Sequence, residues 1–446
     1  MEGHGLTRAV PTLIQIVIPT GLRREQPAYR KNPRADRTPT LPNPKADPRA
    51  SHGPVFVLPG VRTAMQLNVE KLKNTIQDCN VNFLIGSGMS CPYLQALGNI
   101  ETLLTEVDAA PIDATRKKVI TVSLYKRFFD EVIVKNLDVL SGAASAAPVL
   151  QQYKAFLQCL NSVLVKRKVT ILSKEINLFT TNVDIFLEKA LEDLNLEYND
   201  GFNGRFKPKF SLSNLKVSRF KRSLYYDKTA ELPVFNLMKL HGSLSWQMDG
   251  TESVLLSITL DHVRQIASKV LPADNLVVVP DGATLTSLTP AAAGKTAGPA
   301  TDAFLAAYEK LLLIVNPTKE KFRHTLMNQT YYELLRLYSN ELEKENTVLF
   351  VMGFSFADEH IREITMRAAN SNPTLLVYVI AYTSEAKKQI EAALATGLIR
   401  NKNIQILGPE QQDDGHGTTV DKFKYNFEEI NQRVFEKILR SIEAED

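Results

Sequence analysis

Short apolar runs alternate along the chain with segments in which apolar residues recur at helical spacing. Each run is short enough for one strand, and each is followed by residues that favour a turn. The runs occupy residues 81–85, 176–179, 237–240, 311–315, 348–352 and 375–380. Strands that are apolar on both faces and alternate with helices form parallel sheets covered on both sides. The pattern therefore predicts an α/β fold with a Rossmann-like parallel sheet and helices on both faces.

Two segments interrupt this alternation. Residues 92–168 carry apolar residues mainly at helical spacing, which predicts a helical insertion between the first two strands. Residues 282–301 are rich in Ala, Gly and Thr, which predicts a flexible loop. We expect one folded domain over residues 65–446 that includes both segments.

Residues 1–64 differ in composition from the rest of the chain. They hold ten of the 22 prolines, ten basic residues and four acidic residues. Because proline lacks an amide donor and fixes φ, we predict a disordered arm, which need not belong to the native protein. The arm carries a net charge of +6, so the remaining chain carries −2 of the total of +4. This charge leaves two interpretations open: a solvated tail, and an arm that contacts DNA or acidic lipid.

The cysteine content excludes some classes of protein. The three cysteines, Cys79, Cys91 and Cys159, are scattered and form no C-x-x-C pair. They cannot build a disulfide framework or a four-cysteine zinc site, and they suit a reducing, cytoplasmic compartment. No apolar run reaches the ~18 residues that a membrane-spanning helix needs, so we expect no membrane span.

The residues that follow the apolar runs are the candidates for chemistry, because ligands bind beyond the carboxyl ends of parallel strands. The first run ends in Gly86-Ser87-Gly88, and Ser90 follows shortly after. Two glycines two residues apart allow phosphate oxygens to approach the backbone closely, as in the first half of the G-x-G-x-x-G pattern. The same residues are also typical of an ordinary turn between a strand and a helix.

Short polar residues and one histidine follow the later runs. They are Thr180, Asn182 and Asp184 after the second run, His241 after the third, and Gly353 and Ser355 after the fifth. The polar cluster could hold a ribose or cap the next helix. The histidine could act as a general base near neutral pH or serve the structure alone. The glycine and serine could bring hydrogen-bond donors to a phosphate or form a turn.

The order of these motifs resembles the sirtuin family. A G-x-G-x-S turn, T-x-N-x-D, H-G-S and G-x-S follow one another as they do in sirtuins, and the resemblance runs from about residue 81 to residue 382. It is closest to the sirtuin-like proteins of bacterial anti-phage defence. Those proteins carry H-G-S-x-x-W, here from His241 to Trp246, and G-[FY]-S-x-x-D-x-H-I, here from Gly353 to Ile361.

The resemblance implies that the ligand is NAD and gives each candidate a role. Asn182 would hold the nicotinamide ribose and the attacking water, Asp184 would contact the carboxamide of nicotinamide, and His241 would be the catalytic base. The other implied positions bind the rest of NAD: Gly86, Ser87, Gly88 and Ser90 along the pyrophosphate, Thr180 at the strand end beside the ribose, and Gly353 and Ser355 near the phosphate or adenosine.

The chain departs from deacylating sirtuins in three places. Those enzymes carry four zinc cysteines after the catalytic histidine, whereas all three cysteines here precede His241. They carry Pro-Asp-Phe-Arg after the glycine turn, where this chain has Cys-Pro-Tyr-Leu at 91–94, and Gln at the position of Thr181. Without these cysteines we expect no zinc. Because the zinc module helps to build the acyl-lysine cleft, its loss argues against protein deacylation, and we expect water to be the nucleophile. The expected enzyme is an NAD glycohydrolase that releases nicotinamide and ADP-ribose.

The resemblance also implies a biological setting. It predicts NAD depletion in anti-phage defence, a homo-oligomer, and a HerA-type ATPase or another activating subunit as partner; direct nucleic-acid binding stays open. Two alternatives remain. One is an NAD- or ADP-ribose-binding subunit that regulates or scaffolds an ATPase complex, and the other is a sirtuin-type deacylase or ADP-ribosyltransferase. The presence of both Asn182 and His241 favours an enzyme, because binding alone needs neither.

Overall fold

The computed structural model describes residues 68–95, 98–168, 171–250, 253–315, 325–415 and 418–444. The arm at 1–64, for which the sequence predicts disorder, lies outside these ranges. The strands in chain order are β1 (Asn80–Ile85), β2 (Glu175–Thr180), β3 (Tyr198–Asn199), β4 (Phe202–Asn203), β5 (Lys209–Phe210), β6 (Arg219–Arg222), β7 (Thr229–Leu232), β8 (Val234–Lys239), β9 (Trp246–Asp249), β10 (Ser253–Leu256), β11 (Thr347–Met352), β12 (Leu375–Ile380), β13 (Ile404–Leu407), β14 (Gln411–Asp413) and β15 (Thr419–Asp421).

Helices separate β1 from β2, β2 from β3, β10 from β11, β11 from β12 and β12 from β13. In chain order they are α1 (Val69–Asp78), α2 (Ile100–Ala109), α3 (Ala114–Phe128), α4 (Asn136–Ser141), α5 (Ala147–Val165), α6 (Phe186–Asp193), α7 (Asp261–Ala267), α8 (Leu285–Ala291), α9 (Pro299–Leu311), α10 (Thr325–Glu343), α11 (Glu359–Ser371), α12 (Ser384–Ala393), α13 (Phe427–Ile430) and α14 (Glu436–Glu443). None of the described helices is long and apolar enough to cross a membrane.

One parallel sheet of seven strands organises the fold, in the order β13-β12-β11-β1-β2-β8-β3. This confirms the predicted α/β fold with a Rossmann-like sheet. From β1 the chain moves first to β2 on one side, and much later it returns to β11 on the other side. The strand order therefore reverses between β1 and β11, and this is the place where open α/β sheets bind their ligands.

Helices cover both faces of the sheet. Phe83 of β1 packs edge-on against Phe156 of α5, with ring centroids 5.2 Å apart. Phe179 of β2 packs against Tyr338 of α10 at 5.0 Å. Phe179 lies beside Leu84 in the register of the two strands, and successive side chains of a strand point to opposite faces. The helices α5 and α10 therefore lie on opposite sides of the sheet.

A row of buried asparagines crosses the middle of the sheet. Asn82, Asn177, Asn236 and Asn199 occupy matching register positions on β1, β2, β8 and β3. Each amide nitrogen donates to the amide oxygen of the next asparagine, from Asn199 to Asn82, at 2.9, 3.0 and 2.7 Å. A shift of one strand by one residue would break these hydrogen bonds between buried amides, so the row favours one register of the four strands. We call it the asparagine ladder.

The segment at 92–168, for which the sequence predicts an insertion, contains α2 to α5. The segment at 282–301 differs in part from its prediction of a flexible loop, since half of its residues are helical. They form α8 and the start of α9. A reciprocal cap between Thr284 and Ser287 closes the first turn of α8, and Leu288 is buried beneath it. Composition alone misses this helix because one buried leucine and its cap hold it in place.

The apolar run at 311–315 is also not a strand of the sheet. Leu311 ends α9, and Ile314 forms an isolated antiparallel bridge with Gly242. The amide of Val315 donates to the His241 carbonyl at 2.8 Å. Leu312, Leu313 and Ile314 are buried here, so the run is apolar because it packs over the carboxyl end of β8.

The asparagine ladder gives a stability prediction. Replacing Asn177 with Ala removes the donor to Asn82 Oδ1 and one of the two acceptors of the Asn236 amide, which keeps Glu175. An unpaired buried polar group costs about 1–3 kcal/mol, so we expect the free energy of unfolding to fall by roughly 1–3 kcal/mol in chemical denaturation. The control is Asn203→Ala on β4, because Asn203 is an exposed strand asparagine and its loss should change stability by about 0.5 kcal/mol or less. Equal effects of the two substitutions would contradict the role of the ladder.

Candidate active site

Two glycine turns cross at the switch point of the sheet. Gly88, in the turn after β1, donates its amide hydrogen to the carbonyl of Gly353, which follows β11, at 3.0 Å. A β-carbon on Gly86 would lie 2.4 Å from that same carbonyl oxygen. Gly353 has a φ of +62°, and a β-carbon there would lie 2.7 Å from the amide nitrogen of Met89. Glycine is therefore required at Gly86 and Gly353, because the two backbones touch.

The turn for which the sequence predicts contacts with a pyrophosphate thus forms some of its hydrogen bonds with the protein itself. Residues Ser87–Ser90 form one 3-10 turn, and the Gly88 amide is taken by Gly353. Gly86 is buried under this crossing, whereas the Ser87 side chain is exposed. Within this turn, Ser87 and Ser90 line the neighbouring cleft.

Asn182 is held at the end of β2 by contacts with β1 and its turn. Thr180 donates its hydroxyl to the Ile85 carbonyl at 2.8 Å and accepts the Asn182 amide hydrogen at 3.0 Å. The side-chain nitrogen of Asn182 donates to the Gly86 carbonyl at 3.2 Å and to Ser90 Oγ at 3.3 Å. A carbonyl oxygen only accepts, so the amide group of Asn182 has one allowed orientation. Its Oδ1 is then a buried acceptor, and no described residue donates to it.

Asp184 lies two residues further on and is also buried. Its Oδ2 accepts the Ser90 hydroxyl at 2.7 Å, and its Oδ1 accepts the Phe186 amide at 3.2 Å. Lys239 of β8, itself buried, donates to the Asp184 carbonyl and contacts Glu188 Oε1 at 3.1 Å. The buried cation therefore ties the end of β8 to the end of β2 and to α6.

His241 follows β8, and the turn at Gly242, with a φ of +75°, carries the chain away from it. Its Nε2 lies 3.1 Å from Oδ2 of Asp358, and the two side chains are 17% and 9% exposed. The two atoms lie at ion-pair distance, but the contact is not aligned as a hydrogen bond, and no other described residue forms a hydrogen bond with Nε2. Asp358 also accepts the Ile361 amide at 3.1 Å through Oδ1, which caps α11 and fixes the carboxylate. Asp358 therefore places a fixed carboxylate beside Nε2 of the histidine.

Tyr331 of α10 completes the surroundings of the histidine, with its ring centroid 6.3 Å from that of His241. Burial raises the pKa of Tyr331, and the nearby charge of Asp358 raises it further. The phenol therefore keeps its proton at neutral pH.

One cleft brings together five of the ten predicted residues. Ser87, Ser90, Asn182, Asp184 and His241 line it. The opposite wall is formed by the helical segment between β1 and β2, through Leu94, Gln95, Gly98, Glu101, Phe128 and Val132. The other five predicted residues do not line this cleft: they are Gly86 and Gly88 at the crossing, Thr180 behind Asn182, Gly353 at the crossing, and Ser355, which is exposed beyond it.

The sequence left three parts of the site unassigned. Asp358 lies in the G-F-S-x-x-D stretch, so its spacing from Gly353 was a usable signal. Lys239 falls within an apolar run, and an isolated lysine in a buried strand was a further signal. The wall formed by α2 and α3 carries no motif, because it depends on how the insertion packs.

The fold and the cleft together define an α/β protein whose site lies at the switch point of a parallel sheet, as in Rossmann-like nucleotide-binding proteins. Residues 312–407, which include Gly353 and Asp358, match the family model described as SIR2-like domain. The match supports a sirtuin-like family and implies the use of NAD. No curated protein matches the chain.

The residues present suit NAD. Ser87, in the turn beside the crossing, lines the cleft and offers a hydroxyl to a phosphate oxygen. The Oδ1 of Asn182 offers a buried acceptor for a ribose hydroxyl. No group of three or more His, Cys, Asp or Glu side chains that could hold a metal ion occurs in the described part of the chain.

The crossing gives a second stability prediction. In Gly86→Ala the new methyl group would collide with the backbone at Gly353, and overpacking of this kind costs about 1–3 kcal/mol. We expect a lower free energy of unfolding by that amount, measured by chemical denaturation. Gly397→Ala is the control, because a β-carbon there meets nothing within 4 Å. Unchanged stability in Gly86→Ala would show that the two turns can separate without loss.

Proposed function

We propose that this chain is an NAD glycohydrolase that breaks the nicotinamide–ribose bond and releases nicotinamide and ADP-ribose. The observation that carries the proposal is the shared cleft. It contains an asparagine oxygen fixed as an unfilled acceptor and a histidine beside a fixed carboxylate. A buried acceptor that no described residue fills suits a ligand hydroxyl, and a histidine–carboxylate pair suits proton transfer.

The leaving group accounts for much of the chemistry. In NAD the pyridine nitrogen is cationic, and when the C–N bond breaks it takes the electron pair and becomes neutral. The ribose is left with oxocarbenium character, so the site must hold the sugar and place a nucleophile. Asn182 Oδ1 suits the first task, because it accepts a hydrogen bond from a ribose hydroxyl or from the attacking water.

His241 suits the transfer of the proton. If the carboxylate of Asp358 keeps a proton on Nε2, the other ring nitrogen, Nδ1, is the acceptor. Water then forms the new C–O bond, and one of its protons moves to Nδ1. The resulting imidazolium is stabilised by Asp358. General-base catalysis of this kind contributes roughly 10²- to 10⁴-fold to a rate.

Hydrolysis is favoured over deacylation by the wall of the cleft. The wall opposite His241 is built by α2 and α3, from residues such as Glu101 and Phe128. Deacylating sirtuins build their acyl-lysine cleft with a zinc module, and the cysteines for that module do not follow His241 in this chain. Water is therefore the proposed nucleophile.

The biological setting is a proposal that rests on the family resemblance alone. NAD hydrolysis in this setting would deplete NAD in the cytoplasm of a phage-infected cell. A homo-oligomer and an activating subunit, such as a HerA-type ATPase, would then control the enzyme.

The test is the release of nicotinamide and ADP-ribose from NAD, followed by chromatography, with the purified chain alone and with the ATPase or infected-cell lysate. We expect His241→Ala and Asn182→Ala to lower the rate by about 100-fold or more, because each removes a group from the reacting centre. His360→Ala is the matched control, because His360 is an exposed histidine on α11.

Two results would contradict the proposal. Full activity in His241→Ala would remove the histidine from the mechanism. Binding of NAD without release of nicotinamide in every condition would favour the alternative of an NAD-binding regulatory or scaffold subunit.

Asp358→Asn separates the effect of the carboxylate on His241 from its role as a helix cap. Asparagine also caps helices well, so we expect the melting temperature to stay close to that of the wild type. The charge beside Nε2 is lost, and with it the attraction between the carboxylate and the imidazolium that forms during the reaction, so kcat should fall roughly 10- to 100-fold. Steady-state kinetics measure this change. A normal kcat in Asp358→Asn would mean that His241 works without its carboxylate.

A further inference from the structure

Tyr153 is a fully buried residue of α5 whose hydroxyl contacts Ser90, a residue that lines the cleft. Its ring stacks on Phe186 at 5.3 Å with an interplanar angle of 9°, and Phe427 meets it edge-on at 4.8 Å. These contacts fix the ring, so the hydroxyl has little freedom. It lies 3.0 Å from Ser90 Oγ.

The direction of this hydrogen bond follows from counting donors. Ser90 has one hydroxyl proton, and it goes to the Asp184 carboxylate at 2.7 Å. Ser90 Oγ can then only accept, and it accepts from Asn182 Nδ2 at 3.3 Å and from the Tyr153 hydroxyl. Burial raises the pKa of Tyr153 well above its ordinary value, and the charge of Asp184 raises it further, so the phenol keeps the proton that it donates.

Ser90 thus has both of its acceptor positions filled and its single proton committed. If the Tyr153 hydroxyl were absent, Ser90 Oγ would be a buried acceptor with one partner fewer, beside the Asn182 nitrogen. The hydroxyl could then turn away from Asp184, and the Asn182 side chain would lose a fixed neighbour. The Asn182 amide would then be oriented by the Gly86 carbonyl alone, and its oxygen would be held less firmly in the cleft.

We propose that Tyr153 is a positioning residue, whose hydroxyl fixes Ser90 and through it holds Asn182 Oδ1 as an acceptor in the cleft. The proposal rests on the proposed NAD glycohydrolase function, since Asn182 acts there on the ribose or the water. It makes the helical segment between β1 and β2 part of the reaction site. Tyr153 does not line the cleft, so it acts through its neighbours Ser90 and Asn182.

Tyr153→Phe is the test, because it removes the hydroxyl and keeps the ring in its stack. We expect kcat for NAD to fall about tenfold, which corresponds to the loss of one well-placed hydrogen bond, with KM changed by less than about twofold. Tyr338→Phe is the matched control: Tyr338 is also fully buried, and its hydroxyl bonds to Thr365 at 2.8 Å, on the α10 side of the sheet. It should leave kcat unchanged and lower the melting temperature about as much as Tyr153→Phe.

A double-mutant cycle shows whether the effect passes through Ser90. If it does, Tyr153→Phe combined with Ser90→Ala should be no slower than Ser90→Ala alone, because the partner is already missing. Additive losses would overturn the proposal, and so would a normal kcat in Tyr153→Phe while the wild type turns over NAD. If the wild type releases no nicotinamide in any condition, the proposed function and this inference both fall.

Discussion

The site depends on the contact between two pieces of backbone, the turn after β1 and the turn after β11. Their hydrogen bond, from Gly88 to Gly353, allows no side chain between them. The first turn carries Ser90, and the second leads to Asp358 at the start of α11. Because the turns are in contact, groups from opposite halves of the chain meet over the carboxyl ends of neighbouring strands. A side chain at Gly86 would separate these halves, and the histidine–carboxylate pair and the asparagine would no longer face one cleft.

The direction of the hydrogen bonds determines how the side chains of Asn182 and Ser90 are oriented in the site. The Gly86 carbonyl allows one orientation of the Asn182 amide, and the Asp184 carboxylate allows one direction for the Ser90 hydroxyl. Each constraint comes from a group that can only accept, so the arrangement follows from chemistry as well as from the coordinates. The result is a buried acceptor in the cleft, Asn182 Oδ1, to which no described residue donates.

Much of the sheet and part of the candidate site could be predicted from the sequence, for identifiable reasons. Apolar runs marked β1, β2, β8, β11 and β12, because a strand in the middle of a covered sheet is apolar on both faces. The rule that ligands bind at strand ends then located Asn182 and His241. Tyr153 and Asp358 were missed because their partners lie 63 and 117 positions away in the chain. The run at 311–315 misled the prediction, since burial over a strand end produces the same apolar pattern as a strand.

The asparagine ladder has an electrical property that follows from its hydrogen bonds. All three links run in the same direction, from β3 towards β1, so the amide dipoles of four strands point the same way. Aligned amides polarise one another, and the row becomes more polar than its separate members. The ladder ends at β1, where Asn82 donates to the Val348 carbonyl of β11 at 3.4 Å. The row therefore has a direction across the sheet, with its donor end at the pair of strands whose turns cross at the site, while the carboxylates of Glu175 and Glu341 accept further hydrogen bonds from two of its members.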